Sequence, residues 1–207
     1  MKKKVSVSFL SSKDIINDLI DIEASSADYI HVDVMDGKFV KAKNLPFKYL
    51  DRMSYILKKR LDVHLMVKDP TKYIEKYATL NSEYITIHVE LGDLDKYLEQ
   101  IKSYGIKCGL AINPDTDINL LKDYLNKIDL ILVMSVFPGA GGQSFIEEST
   151  KRIDTIKSMI GNRKILVSVD GGINDSTINK VKNTDIVVSG SYIVNSDDFD
   201  ERIKSLR

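Results

Sequence analysis

Tyr29-Ile30-His31-Val32-Asp33-Val34-Met35-Asp36-Gly37 is the stretch whose reading decides the fold. It reads as a strand, Tyr29–Asp33, running straight into a tight turn. Strand alternation puts His31, Asp33 and Met35 on one face and Val32 and Val34 on the other. An imidazole and a carboxylate on the inner face of an apolar strand are costly unless they are paired or hold a metal. The stretch is therefore both a structural unit and the first sign of a site. Asp36 points the other way and reads as a turn-former with Gly37.

Outward from this stretch, the same texture recurs. Short β-branched runs stand at Lys4–Ser8, Tyr29–Asp33, Leu61–Met66, Tyr84–His88, Lys107–Ile112, Leu130–Ser135, Ile165–Val169 and Ile186–Ser189. Between them lie charged, helix-periodic segments: Asp14–Ser25, Pro46–Leu57, Pro70–Ala78, Leu94–Tyr104, Ile118–Leu125, Glu148–Ile160, Ser176–Val181 and Phe199–Leu206. Ile15, Ile16, Leu19, Ile20 and Ile22 recur at helical spacing. Pro46 and Pro70 stand where a helix can begin, Asp117 where it can be capped, and Gly105 and Gly161 where it can end. Strict strand–helix alternation demands a parallel sheet with helices outside it. Eight units predict an α/β fold, a (β/α)8 TIM barrel. An open doubly wound sheet competes, but Phe9-Leu10-Ser11-Ser12-Lys13 after the first strand lacks the Gly-rich turn of that fold.

The 207 residues suit one domain spanning 1–207, with no Pro-, Gly- or Ser-rich linker. Lys plus Arg and Asp plus Glu are 30 each, which favours neither nucleic acid nor an acidic membrane surface as partner. The apolar run after Met1-Lys2-Lys3-Lys4 is too short for a signal peptide or a membrane span. A single cysteine, Cys108, allows no internal disulfide and reads as a small core residue. A cytoplasmic protein is the expectation.

Barrel enzymes carry their chemistry at the C-terminal ends of the strands. All three histidines, His31, His64 and His88, fall at strand ends. His31, Asp33, His64 and Asp170 make a two-imidazole, two-carboxylate set that converges on one mouth if the barrel closes. Such a set suits one divalent ion, zinc first, with iron, manganese or cobalt as alternatives. Hydrogen-bonded polar groups without a metal are the other reading. Gly139-Ala140-Gly141-Gly142 follows the sixth strand, Gly171-Gly172 the seventh and Gly190-Ser191 the eighth. Small residues after the last strands are where barrels bind phosphate. The glycine spacing fits neither a P-loop nor a dinucleotide fingerprint. Met35, Met66 and Met134 lie near strand ends, as core filling or as an apolar wall around a reacting carbon.

At these residues the sequence resembles the ribulose-phosphate 3-epimerase family. The matching segments are Ser8-Phe9-Leu10-Ser11, Ala27 to Gly37, Leu61 to Val67, His88-Val89-Glu90, Ala111-Ile112-Asn113-Pro114, Val133 to Val136 with Pro138 to Gln143, Val169-Asp170-Gly171-Gly172 and Ser189-Gly190-Ser191. They run in family order along almost the whole chain. The resemblance implies metal-dependent epimerisation at C3 of a small phosphorylated ketose, a ketopentose phosphate (D-ribulose 5-phosphate to D-xylulose 5-phosphate). It makes Asp33 and Asp170 the acid/base pair, and His31, Asp33, His64 and Asp170 the metal ligands. Ser8 and His64 would touch the sugar. Gly139, Ala140, Gly141, Gly142, Gly171, Gly172, Gly190 and Ser191 would surround the phosphate end, and Met35, Met66 and Met134 would pack on the planar intermediate. Members commonly associate, so a homo-oligomer is expected. Val7 stands where the family usually has Pro, Lys38-Phe39-Val40-Lys41-Ala42 where it commonly reads His-Phe-Val-Pro-Asn, and Ala140 where it usually has Phe. These departures touch sugar identity more than reaction type, and a ketohexose 6-phosphate such as allulose 6-phosphate is the rival substrate. A phosphate-binding barrel decarboxylase is disfavoured by His31-x-Asp33. A sugar-phosphate-binding barrel without turnover would need a lost acid/base or metal position, and none is lost.

Overall fold

The structure is a computed structural model and describes residues 2–207. Strand β1 spans Lys4–Ser8, helix α1 Ile15–Ala24, β2 Tyr29–Asp36, β3 Lys43–Asn44, α2 Phe47–Met53, β4 Arg60–Met66, α3 Thr71–Ala78 and β5 Ser82–His88. Then come α4 Leu94–Ser103, β6 Lys107–Ile112, β7 Leu130–Met134, α5 Ser149–Ile160, β8 Leu166–Asp170, β9 Ile186–Ser189, α6 Ser191–Val194 and α7 Phe199–Ser205. Sheet order is β1-β9-β8-β7-β6-β5-β4-β2-β3, and β1 also pairs with β2. All pairings except β2–β3 are parallel, so eight strands close into a (β/α)8 barrel and β3 hangs outside it. Among the described residues no helix is long and apolar enough to cross a membrane.

The structure corrects several boundaries. β2 runs on to Asp36, because Val34 and Met35 stay paired with Leu65 and Met66 on β4 while Met35 and Asp36 gain antiparallel partners in Asn44 and Lys43. The segments expected as helices at Ile118–Leu125 and Ser176–Val181 are 3-10 turns, Ile118–Tyr124 and Ile178–Val181. Asp117 caps the first by accepting from Asn119 N–H, and an Asx turn, in which Asn174 accepts from Ser176 and Thr177 N–H, leads into the second. Helix α2 stops at Met53, short of Leu57. The short helix α6, directly after β9, has no counterpart in the sequence reading.

Apolar side chains form two separate cores. Val5, Val7, Val32, Val34, Val63 and Leu65 face outward under the helices. Inside the barrel, Tyr29, Tyr84, Leu130, Leu132, Met134, Ile186 and Val188 pack together. β1, β2, β4 and β5 add a polar part of the interior: Ser6, Ser8, His31, Asp33, Asp62, His64, Thr86 and His88 are all buried. Buried polar groups seek partners: Ser6, Asp62 and His31 are linked by hydrogen bonds, as are Ser8, Asp33, His64 and His88, while Thr86 Oγ1 has none. Cys108 is buried in the outer core, and burial with the nearby Asp129 carboxylate pushes its thiol up to about 11. It is inert as expected.

Gly109 is the position where the interior leaves no room. A Cβ there would stand 2.3 Å from Thr86 Oγ1. Gly109→Ala is therefore expected to cost about 1–3 kcal/mol by overpacking, read as a lower urea midpoint. Thr86→Ala in the same chain should restore most of it. A Gly109→Ala protein as stable as wild type contradicts this packing.

Candidate active site

Parallel register assembles the site. On β2 and β4, Asp33 pairs with His64 and Met35 with Met66. On β1 and β2, Ser8 pairs with His31. On β7 and β8, Met134 pairs with Asp170. Alternation points these side chains inward at the C-terminal mouth, and closure brings β8 across to β2.

His31, Asp33, His64 and Asp170 each direct one donor atom into a common space, all within 4.8 Å of one another. His31 Nε2 lies 3.5 Å from Asp33 Oδ1 and 3.7 Å from Asp170 Oδ2. His64 Nδ1 lies 3.3 Å from Asp33 Oδ1 and 3.8 Å from Asp170 Oδ2. Donors bound to one tetrahedral ion at about 2.0–2.2 Å stand roughly 3.3–3.6 Å apart. His31 Nε2 is also buried with no hydrogen-bond partner, an orphan that a cation would satisfy. The four residues therefore fit a divalent metal.

Electrostatics separates the two carboxylates. Burial pushes both up, but His31 and then His64 beside Asp33 outweigh it and hold that carboxyl far below the usual range. Asp170 has burial reinforced by the Asp33 charge, and is raised to about 7. Burial works against a charged His31, yet Asp62 and Asp33 hold its pKa well above the usual imidazole value. Two carboxyls with values driven apart are a pattern of acid–base sites.

A cavity of about 620 Å³ opens above this floor. Ser8, Asp33, Met35, Met66, Met134, Gly139, Ala140, Gly141, Gly142, Asp170, Gly171, Gly172, Gly190 and Ser191 all line it. His31 and His64 are fully buried behind Asp33 and take no share of its wall. Ser8 Oγ donates to Asp33 Oδ2 at 2.8 Å. The glycines are there for close approach. A Cβ on Gly172, at φ +65°, would stand 2.6 Å from Phe145 N, and one on Gly141 2.2 Å from Ser11 Oγ. The loop after β7 thus approaches Gly172, Ser11 and, through Gly142, Ser191 of α6, and together with Gly190 gives the cavity a rim of small residues and backbone.

The family model described as "Ribulose-phosphate 3 epimerase family" matches residues 4–194. The chain belongs to the ribulose-phosphate 3-epimerase family. A curated ribulose-phosphate 3-epimerase of Buchnera aphidicola is 43% identical over 200 residues, covering 92% of this chain and 87% of the relative. One from Helicobacter pylori is 39% identical and covers 99% of this chain and 96% of the relative. One from Bacillus subtilis is 33% identical, with 92% and 91% covered. Among solved structures, KGPDC from Streptococcus mutans superposes with a TM-score of 0.72 at 12% identity, covering 100% of this chain and 96% of that one. At that identity the likeness is one of fold.

In this epimerase-family chain, four further residues support the cluster that strand-end reading did not assign to it. Asp62 Oδ2 lies 2.8 Å from His31 Nδ1 and accepts from Ser6 Oγ at 2.9 Å. His88 Nε2 lies 2.8 Å from His64 Nε2, and His88 Nδ1 lies 3.0 Å from Glu90 Oε2. Burial is the main reason His88 is lowered to about 4. Glu90, despite burial, is lowered to about 2 by His88 and by the hydrogen bonds from Thr116 and Asn113. The signal for Asp62 was present, since it alternates with His64 along β4. Asp36 is the turn-former expected: its Oδ1 accepts Lys38 and Phe39 N–H, and its Oδ2 accepts Lys68 N–H.

Proposed function

We propose that this chain is an isomerase that inverts C3 of D-ribulose 5-phosphate to give D-xylulose 5-phosphate, a reaction of the pentose phosphate pathway. The observation that carries the reading is the pair Asp33 and Asp170. They meet at the floor of one cavity, with proton affinities driven apart. Epimerisation next to a ketone needs one group to take the C3 proton and another to return one from the opposite face. In one direction the Asp33 carboxylate takes the C3 proton, the electron pair moves into a planar enediolate, and protonated Asp170 delivers a proton to the other face. In reverse the two exchange roles. Ser8 keeps Asp33 oriented through its 2.8 Å hydrogen bond.

His31, Asp33, His64 and Asp170 would hold a divalent ion, with zinc as first choice for two imidazoles and two carboxylates. Such an ion supplies positive charge where negative charge develops on the ketose oxygens. Met35, Met66 and Met134 give the cavity floor an apolar wall that keeps water from the reacting carbon. Backbone N–H groups at Gly141, Gly142, Gly172, Gly190 and Ser191 grip the phosphate, and that binding energy orients C3 between the carboxylates. The unpaired, buried Cys108 suits a reducing cytoplasm.

The test is turnover of ribulose 5-phosphate and allulose 6-phosphate side by side. A larger kcat/KM for ribulose 5-phosphate is expected. Preference for the hexose reassigns the substrate, and no turnover of either removes the epimerase reading.

A further inference from the structure

Glu90 ends a chain of three side chains that begins at the metal-fitting cluster. His64 turns Nδ1 into that cluster, 3.3 Å from Asp33 Oδ1. Its other nitrogen, Nε2, lies 2.8 Å from His88 Nε2. His88 Nδ1 lies 3.0 Å from Glu90 Oε2. Two imidazole nitrogens at that distance share one proton, so one donates and the other accepts.

The far end of the chain decides which. An ionised carboxylate only accepts, so His88 Nδ1 carries a proton. Neutral His88 then presents a lone pair at Nε2, and the shared proton belongs to His64 Nε2. His64 Nδ1 is left with a lone pair aimed at the cluster, the form in which an imidazole binds metal. His31 has a shorter version of this device, with Nδ1 held by Asp62 at 2.8 Å and Nε2 facing the cluster.

Glu90 is itself pinned. Its Oε1 accepts the Asn113 backbone N–H at 2.8 Å, which leaves Oε2 for His88. Phe39, from the loop after β2, packs on the His88 ring with centroids 4.6 Å apart. Glu90 has no share in the sugar cavity. It lines a separate groove between the loops after β2 and β7.

We infer that Glu90 and His88 are positioning residues that lock His64 in its Nε2–H tautomer, so that metal affinity depends on a carboxylate remote from both metal and sugar. The inference rests on the metal site proposed above.

Glu90→Gln tests it sharply, because both glutamate oxygens are acceptors in use and an amide has only one. If the amide oxygen keeps Asn113, the NH2 turns to His88 Nδ1 and reverses the chain. His88 Nε2–H then donates to His64 Nε2, and His64 Nδ1 carries a proton into the cluster. The zinc dissociation constant, measured by competition with a chromophoric chelator, should rise about 10–100-fold over wild type. Two-bond 15N–1H spectra of the zinc-loaded wild-type protein read the tautomers without any substitution, and so decide even where the variant does not fold. They should show Nε2–H on His64 and Nδ1–H on His88. A proton on His88 Nε2, or a Glu90→Gln protein that binds zinc as tightly as wild type, overturns the inference. A wild-type protein that binds no zinc overturns the metal reading and this inference with it.

Discussion

Asp33→Asn and Asp170→Asn each bring epimerisation down by about 10⁴-fold or more, while the far-UV circular dichroism of the barrel stays that of wild type. Positioned general acid–base groups are worth about 10²–10⁴-fold each, and each substitution also removes a charge from the metal-fitting cluster. Asparagine has nearly the shape of aspartate, so packing is kept. In Asp33→Asn the amide oxygen can still accept from Ser8 Oγ, the partner of Asp33 at 2.8 Å. Asp170 keeps 18% side-chain exposure, which softens any loss of pairing there. The assay is turnover of ribulose 5-phosphate, with deuterium wash-in at C3 from each epimer as the finer readout. Each variant should lose exchange on the face served by its missing carboxylate. Two variants that both epimerise at the wild-type rate would end the two-carboxylate mechanism.

Stripping divalent metal with a stringent chelator should abolish turnover and leave a protein whose thermal stability falls as pH rises from about 6.5 to 8. His88, lowered to about 4 chiefly by burial, adds stability as pH rises to the unfolded imidazole value of about 6.5 and nothing beyond it, so two other groups set the sign above that value. Asp170 has its folded pKa raised to about 7 by burial and then by Asp33. The folded state thus holds its proton more tightly than the unfolded chain, and stability is lost as pH climbs from the ordinary carboxylate range through 7. His31 is raised as well, Asp62 and Asp33 prevailing over burial. Its contribution is complete below the unfolded imidazole value and is lost as pH rises through the folded one. Asp33 is depressed, so its contribution is lost only on acidification below this window. Zinc requires deprotonated ligands, so it should protect most at pH 8. At 100 times its dissociation constant a ligand adds about 2.7 kcal/mol, roughly 5–10 °C in Tm for a chain of this size. A stripped protein with full activity would remove the metal but keep the carboxylate pair. A stripped protein whose Tm is flat or rises from about pH 6.5 to 8 would contradict the charge assignment.

Much of the site was legible because catalytic groups in a barrel sit at strand ends. His31 and Asp33 stood out as polar residues in the inner register of an apolar strand, and Asp170 as the residue directly after the Ile165–Val169 run. Glu90 was visible two residues past His88, but nothing local tied it to His64, twenty-six positions earlier in the chain. Helix α6 was hidden because four residues carry too little periodicity to register. The strand pair Met35–Asn44 and Asp36–Lys43 was hidden for a related reason, since two residues carry no alternation pattern.

The sequence by itself determined the alternation of strand and helix, the inward face of each strand and hence the residues available to the mouth. These follow from periods of 2 and 3.6, which are properties of neighbouring residues. Only the tertiary structure decided how the inward groups pair: Asp62 with both Ser6 and His31, Ser8 with Asp33, and His88 with both His64 and Glu90. It also decided that His31 and His64 lie behind the cavity wall while Asp33 and Asp170 form part of it. Those pairings depend on inter-strand register and on closure of β1 against β2. They join residues from different strand–helix units, and a local pattern carries no information about how far one strand is shifted against the next.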